Sequence, residues 1–111
     1  PSATSGGYAV VGGVDGQFGV SAYVYSGADP PVAPLSTSFD FRRTDEARVE
    51  WRVTLGPGER AALLHFVLQR MPGDEAGATA RAQSLAGALG GNALAHLTAE
   101  ERALIINYRL Q

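Results

Sequence analysis

The first half of the chain alternates apolar and polar residues with a period of two, which is typical of half-buried β-strands. Tyr8–Val14 is a short, largely apolar run, and Phe18–Tyr25 follows it with regular alternation. Between them, Asp15-Gly16 is a strong signal for a tight hairpin turn. Residues 1–7 are small and mostly polar, so we expect a flexible lead-in before this hairpin.

Three further strands are predicted before residue 71. A loop at Ser26–Pro34 contains three prolines and separates the hairpin from a strand at about Ser36–Arg43. The next strand spans residues 48–55, and its apolar face consists of Val49, Trp51, Val53 and Leu55. The run Arg60–Gln69 is almost entirely apolar, which predicts a strand buried on both faces, either central in the sheet or covered by the C-terminal helices.

The periodicity changes to that of helices after residue 73. Asp74 is a good N-cap, and apolar residues then recur at spacings of four, three and four, at Ala78, Ala82, Leu85 and Leu89. Gly90-Gly91 is expected to end this helix. Thr98 and Glu101 form a capping box that opens a second helix, from which Leu104, Ile105 and Tyr108 are expected to point inward.

These elements predict a mainly β fold of the α+β class. We expect an antiparallel, β-sandwich-like sheet of about five strands, followed by two short C-terminal helices. Residues 8–111 form a single domain in this interpretation, with strands at 8–70, a helical segment at 74–108 and the lead-in at 1–7.

Composition excludes several classes of function. The 111 residues contain no cysteine, which rules out disulfides and thiolate chemistry within the chain. A net charge of -2 with scattered arginines disfavours nucleic-acid binding, and no apolar run is long enough for membrane insertion. Because the chain begins at Pro1 and has no signal-peptide pattern, we interpret it as a processed or excised piece of a longer protein.

No pattern in the sequence indicates a catalytic, metal or cofactor site. His65 has a catalytic or metal-binding interpretation, but without HxH or HExxH spacing we expect a buried, structural imidazole, and His96 is expected on the surface. The serines lack a nucleophile elbow, and the glycine pairs lack the context of a phosphate loop. The carboxylates that could bind calcium lack the spacing of a known loop and are interpreted as solvated turn residues, namely Asp15, Asp29, Asp40, Asp45 and Glu46.

The tyrosines have the clearest potential for binding a ligand. Tyr23 and Tyr25 share the face of the second strand opposite Val20 and Val24. If the apolar face packs on the core, both tyrosines face outward and can stack on a sugar or a partner protein. The alternative is that the helices cover the tyrosines. Trp51 belongs to an alternating apolar set, so we expect it in the core.

Several motifs occur together between residues 26 and 108, namely Asp29-Pro30-Pro31, the strand with Trp51, the Gly56-Pro57-Gly58-Glu59 turn, the Leu64-His65-Phe66 strand and the Ala-rich helix after Gly73-Asp74. In this combination the chain resembles a module of large exported bacterial surface proteins with immunoglobulin-like or other β-rich repeats. The resemblance implies a bacterial, extracellular or cell-surface context. Its motifs are structural and imply no catalytic or ligand residue.

The sequence therefore predicts a non-catalytic, secreted or cell-surface module with a structural, adhesive or assembly role and no cofactor. An open sheet has two edges, and the chain has no lysine to block one. We thus expect protein partners or self-association, with the first strand and its lead-in as the contact. One alternative is a carbohydrate- or protein-binding module that uses Tyr23 and Tyr25. Another is a small hydrolase.

Overall fold

The structure is a computed structural model that describes residues 2–5, 7–12, 19–27, 30–40, 46–87, 89 and 91–109. The described residues form six strands, two α-helices and one 3₁₀ turn. In chain order these are β1 (Ser2–Ser5), β2 (Tyr8–Val11), β3 (Val20–Val24), β4 (Ser36–Asp40), β5 (Glu46–Glu50), β6 (Phe66–Arg70), α1 (Glu75–Gly87), the 3₁₀ turn Gly91–Leu94 and α2 (Ala99–Ala103).

The strands form two antiparallel sheets. The larger sheet has the order β1-β2-β3-β6, and β4 pairs with β5 in a separate two-stranded sheet. In the larger sheet Tyr8 lies opposite Val24, and Val24 lies opposite Phe66. The predicted class is confirmed, since the chain is mainly β and of the α+β type with two short C-terminal helices.

One face of the larger sheet packs against α1. Burial alternates along β3, so that Val20, Ala22 and Val24 point into the core. The facing side of α1 is also buried, at Ala78, Ala82, Leu85 and Ala86. Because Ala78 and Ala82 are small and completely buried, the helix lies close against the sheet.

Both helices begin as the sequence predicts. The Asp74 carboxylate accepts a hydrogen bond from the Gly77 N–H at 3.2 Å. The capping box is also present, because the Thr98 hydroxyl accepts from the Glu101 N–H at 3.1 Å and the Glu101 carboxylate accepts from the Thr98 N–H at 3.2 Å. α1 ends at Gly87, before the predicted Gly90-Gly91 stop. In the described part of the chain no helix is long and apolar enough to cross a membrane.

The strand predicted at residues 48–55 is shorter than expected. β5 ends at Glu50, and Val53 and Leu55 are 38% and 50% exposed, so their predicted burial is wrong. β5 has β4 as its partner, and the Leu35 N–H makes the last bond, to the Glu50 carbonyl at 2.7 Å. Before Leu35 the chain is the loop with Pro30, Pro31 and Pro34, so the described residues after Glu50 have no neighbouring strand to pair with.

The apolar run Arg60–Gln69 is a strand only in its second half. β6 is the last strand of the larger sheet, so the central position, one of the two predicted alternatives, is wrong. The first half of the run is bound by the segment after α2 instead. The Ala62 N–H donates to Leu104 at 2.7 Å, and the Ile106 N–H donates to the Ala62 carbonyl at 3.1 Å. These contacts occupy backbone groups that a longer strand would use in the sheet.

The N-terminal region also differs from the expectation. Ser2–Ser5, expected within a flexible lead-in, forms β1 and pairs with β2. The predicted hairpin is present as the antiparallel pair of β2 and β3. Its turn, Asp15-Gly16, lies outside the described residues, as does Phe18. Since β2 lies between β1 and β3, the edge expected at the Tyr8 strand is formed by β1.

Candidate functional site

Tyr23 and Tyr25 lie on the side of the sheet away from α1, but they do not form an exposed pair. Tyr23 is half-buried, and Tyr25 is only 8% exposed, so the exposed pair, one of the two alternatives from the sequence, is wrong for Tyr25. The ring of Tyr25 contacts Phe39 of β4 and Trp51, with centroid distances of 5.8 and 6.5 Å. Burial raises the pKa of Tyr25 above its ordinary value. The smaller sheet, rather than a helix, provides this cover.

The two tyrosines nevertheless line one groove. This groove has a volume of about 220 Å³, and its walls come from β3, β4, β5 and the region of β6. Its lining includes Tyr23, Tyr25, Phe39, Val49, His65 and Val67. The structure thus brings the predicted ligand residues together with His65, in a mainly aromatic and aliphatic setting.

His65 is exposed, so the predicted buried imidazole is wrong. Its ring stands edge-on to Trp51, with centroids 5.2 Å apart and an interplanar angle of 84°. Loss of water on that side lowers the pKa of His65, because desolvation disfavours the imidazolium ion. Since the ordinary pKa of histidine is about 6.5, His65 is neutral at pH 7.

Trp51 packs in this aromatic cluster and not in the main core. It is half-buried, and its indole Nε1 is shielded from solvent with no hydrogen-bond partner among the described residues. The sequence alternation placed Trp51 on one buried face together with Val53 and Leu55. The structure separates them, because β5 ends one residue before Trp51.

The described residues provide little for acid–base or metal chemistry. The described lining of the groove holds no carboxylate and no serine or threonine beside His65. No three His, Asp or Glu side chains that could hold a metal ion meet in the described part of the chain. His96 is exposed, as predicted. Of the predicted calcium candidates, Asp15, Asp29 and Asp45 lie outside the described residues, and the side chains of Asp40 and Glu46 are not described either.

The sequence interpretation missed the exposed edge at β6. Val67 is 62% exposed in the middle of this strand, and Met71 directly after it is 76% exposed. A signal was available in the run itself. His65, Val67 and Gln69 recur at a spacing of two, and two of the three are polar, which indicates that this face of the strand is toward solvent. The position of β6 at the sheet edge has no such local signal.

Comparison with known proteins adds no relative. No protein-family model matches the chain. No curated protein and no solved structure is significantly similar to it.

Proposed function

We propose that this chain is a non-catalytic assembly module, extracellular or on the cell surface, that joins other protein through the β6 edge of its larger sheet. Val67 is the observation that carries the proposal, because it is an apolar side chain 62% exposed on an edge strand. An edge strand presents backbone N–H and C=O groups that pair readily with a further strand.

The β6 edge lacks the features that usually protect such a strand. Phe66–Arg70 contains no proline and no lysine, and Arg70 at its end is its only charged residue. Natural edge strands are commonly protected by proline, lysine or a β-bulge. Further apolar surface flanks β6, since Leu63 is 41% and Met71 76% exposed. This composition favours contact with protein over contact with water.

Two further observations support the non-catalytic and cell-surface parts of the proposal. The described lining of the groove beside His65 holds no carboxylate, serine or threonine, so the imidazole lacks the carboxylate that orients it or the hydroxyl that it activates in a catalytic triad. The cell-surface context rests on the resemblance of residues 26–108 to modules of exported bacterial surface proteins.

Light scattering of the purified chain over a wide concentration range tests the proposal. We expect the mean mass to rise with concentration. Val67→Lys should return the chain to a monomer, because it removes the apolar contact and places a charge at the edge. Ser84→Lys adds the same charge on an exposed position of α1 and should associate like the original chain. A monomer at every concentration would contradict the assembly function.

A second candidate function is favoured by the groove itself. Because Tyr23 and Tyr25 line it together, a carbohydrate could bind there by contacts with their rings. We would titrate the ¹⁵N-labelled chain with soluble oligosaccharides and follow the Trp51 indole signal. A saturable shift that Tyr23→Ala removes would support this function, and unchanged spectra with every sugar would count against it.

A further inference from the structure

We propose that β6 pairs with β6 of a second copy of this chain, antiparallel and about a twofold axis at Leu68. This inference rests on the proposed assembly function and names its partner. The two four-stranded sheets would then join into one continuous sheet. Because the twofold axis is perpendicular to the sheet, the α1 helices of both copies would lie on the same face.

The first argument is the free side of β6. β3 pairs with one side, with Val20 opposite Arg70 and Val24 opposite Phe66. In an antiparallel ladder, alternate residues direct their N–H and C=O groups to opposite sides of the strand. No backbone hydrogen bond within the described part of the chain closes the other side of Phe66–Arg70. An extended polypeptide carries the alternating donors and acceptors that match this side.

The second argument is the fit of β6 to itself. Antiparallel pairing about Leu68 places Val67 opposite Gln69 of the second copy. The Val67 side chain then packs against the methylene groups of Gln69 on the face away from α1. It places Arg70 opposite Phe66, and the two Arg70 side chains lie at opposite ends of the junction. A register that brought the two Arg70 residues face to face would be unfavourable, because like charges directly opposite each other destabilise a strand pair.

The third argument concerns the other edge of the larger sheet. β1 has the sequence Ser-Ala-Thr-Ser, with one small apolar residue, so it offers Val67 little apolar surface. Pairing of β1 with β6 would also be head-to-tail, which gives rings or open fibres instead of a twofold dimer. Pairing of β6 with itself uses one surface on both copies and closes as a dimer, which is the commonest symmetry of soluble oligomers.

Cysteine cross-linking tests this geometry, because the chain has no cysteine of its own. Residues directly opposite in an antiparallel pair have Cα atoms about 4.5–5.5 Å apart, within the range of a disulfide, whereas diagonal neighbours are about 7–8 Å apart. We would mix Val67→Cys with Gln69→Cys and oxidise the mixture mildly. The yield of the mixed disulfide, between position 67 of one copy and position 69 of the other, should be higher relative to the 67–67 and 69–69 disulfides than random pairing would give. Ser84→Cys on α1 serves as the control and should form few cross-links.

The outcomes separate this inference from the proposed function. Association sensitive to Val67→Lys, but with random cross-linking or with species larger than a dimer, would overturn the β6–β6 pairing and leave the assembly function standing. A monomer that gives no selective cross-link would overturn both. Both cysteine positions are exposed, and matching thermal unfolding curves would show that the variants remain folded.

Discussion

The side chain of Asn107 makes hydrogen bonds with both backbone polar groups of Leu64. Its Oδ1 accepts from the Leu64 N–H at 2.9 Å, and its Nδ2 donates to the Leu64 carbonyl at 2.7 Å. The same Nδ2 donates to the Tyr25 carbonyl at 2.8 Å. Asn107 is completely buried. One amide therefore connects the C-terminal segment, the approach to β6 and the end of β3.

Replacement of this amide is expected to destabilise the fold strongly. Asn107→Ala leaves three backbone groups without their partner, and each unsatisfied buried group costs about 1–3 kcal/mol. Because Leu64 is only half-buried and water can reach part of it, we expect a total loss of about 2–4 kcal/mol. Asn107→Asp keeps the acceptor and loses the donor, so it should retain the hydrogen bond from the Leu64 N–H. Urea unfolding measures both variants, and a loss below about 1 kcal/mol for the alanine variant would contradict this role.

Stability should fall at alkaline pH because of Tyr108. Its hydroxyl is buried and donates to the Val24 carbonyl at 3.1 Å, and burial raises its pKa above the ordinary value. The unfolded chain releases this proton at about pH 10, whereas the folded chain keeps it. The folded state is therefore favoured below that pH and loses stability as the pH rises above it.

Tyr108→Phe tests this pH dependence. At neutral pH it should lower the free energy of unfolding by about 1 kcal/mol through the lost hydrogen bond. Above about pH 10 its stability should fall less steeply than that of the original chain. Tyr25 is expected to contribute to the pH dependence that remains in this variant, because burial also raises the pKa of Tyr25. Identical slopes for the two proteins in urea unfolding at several pH values would show that Tyr108 does not contribute.

Trp51 and Val53 were predicted to share a buried face, and the structure predicts different effects for their replacement. Trp51 is half-buried against Tyr25 and His65. Trp51→Ala should therefore cost about 2 kcal/mol, less than the 3–5 kcal/mol of a fully buried aromatic residue. Val53 is 38% exposed, and Val53→Ala should change stability by no more than about 0.5 kcal/mol. Equal losses of unfolding free energy for the two variants would instead support the strand at residues 48–55 that the alternation predicts.

Alanine variants of two glycines with positive φ, Gly7 and Gly58, distinguish the cost of a steric clash from the cost of backbone strain. Gly7 has φ +94°, and a Cβ there would overlap the carbonyl oxygen of Ser26. Gly58 has φ +77° with open space around it. Gly58→Ala should cost about 1 kcal/mol from the left-handed conformation alone. Gly7→Ala should cost clearly more, since the chain must also move. Thermal unfolding measures both, and an equal loss would mean that the β1–β2 connection moves freely away from Ser26.

The local elements were the most predictable part of this protein. The side of α1 that faces the sheet, with Ala78 and Leu85, could be predicted from the spacing of apolar residues. The capping box at Thr98 could be predicted from two residues three positions apart. The β2–β3 pairing follows from alternation beside a turn signal. The candidate site was predicted less well. Tyr23 and Tyr25 were placed on one face, but neither alternative, an exposed pair or cover by the helices, includes the smaller sheet that covers Tyr25.

What the sequence determined by itself is therefore the apolar face of α1 and of β3 and the residues at which the helices begin, because these depend on residues within a few positions of one another. Only the tertiary structure decided which apolar faces are covered and which strands pair. Leu64 is bound by a residue 43 positions later, and the edge position of β6 follows from the strand order of the larger sheet. Tyr25 is covered by Phe39 and Trp51, which no local pattern connects to it. Periodicity specifies that a side chain needs apolar contact, but the neighbour that supplies it depends on how distant segments fill the same space.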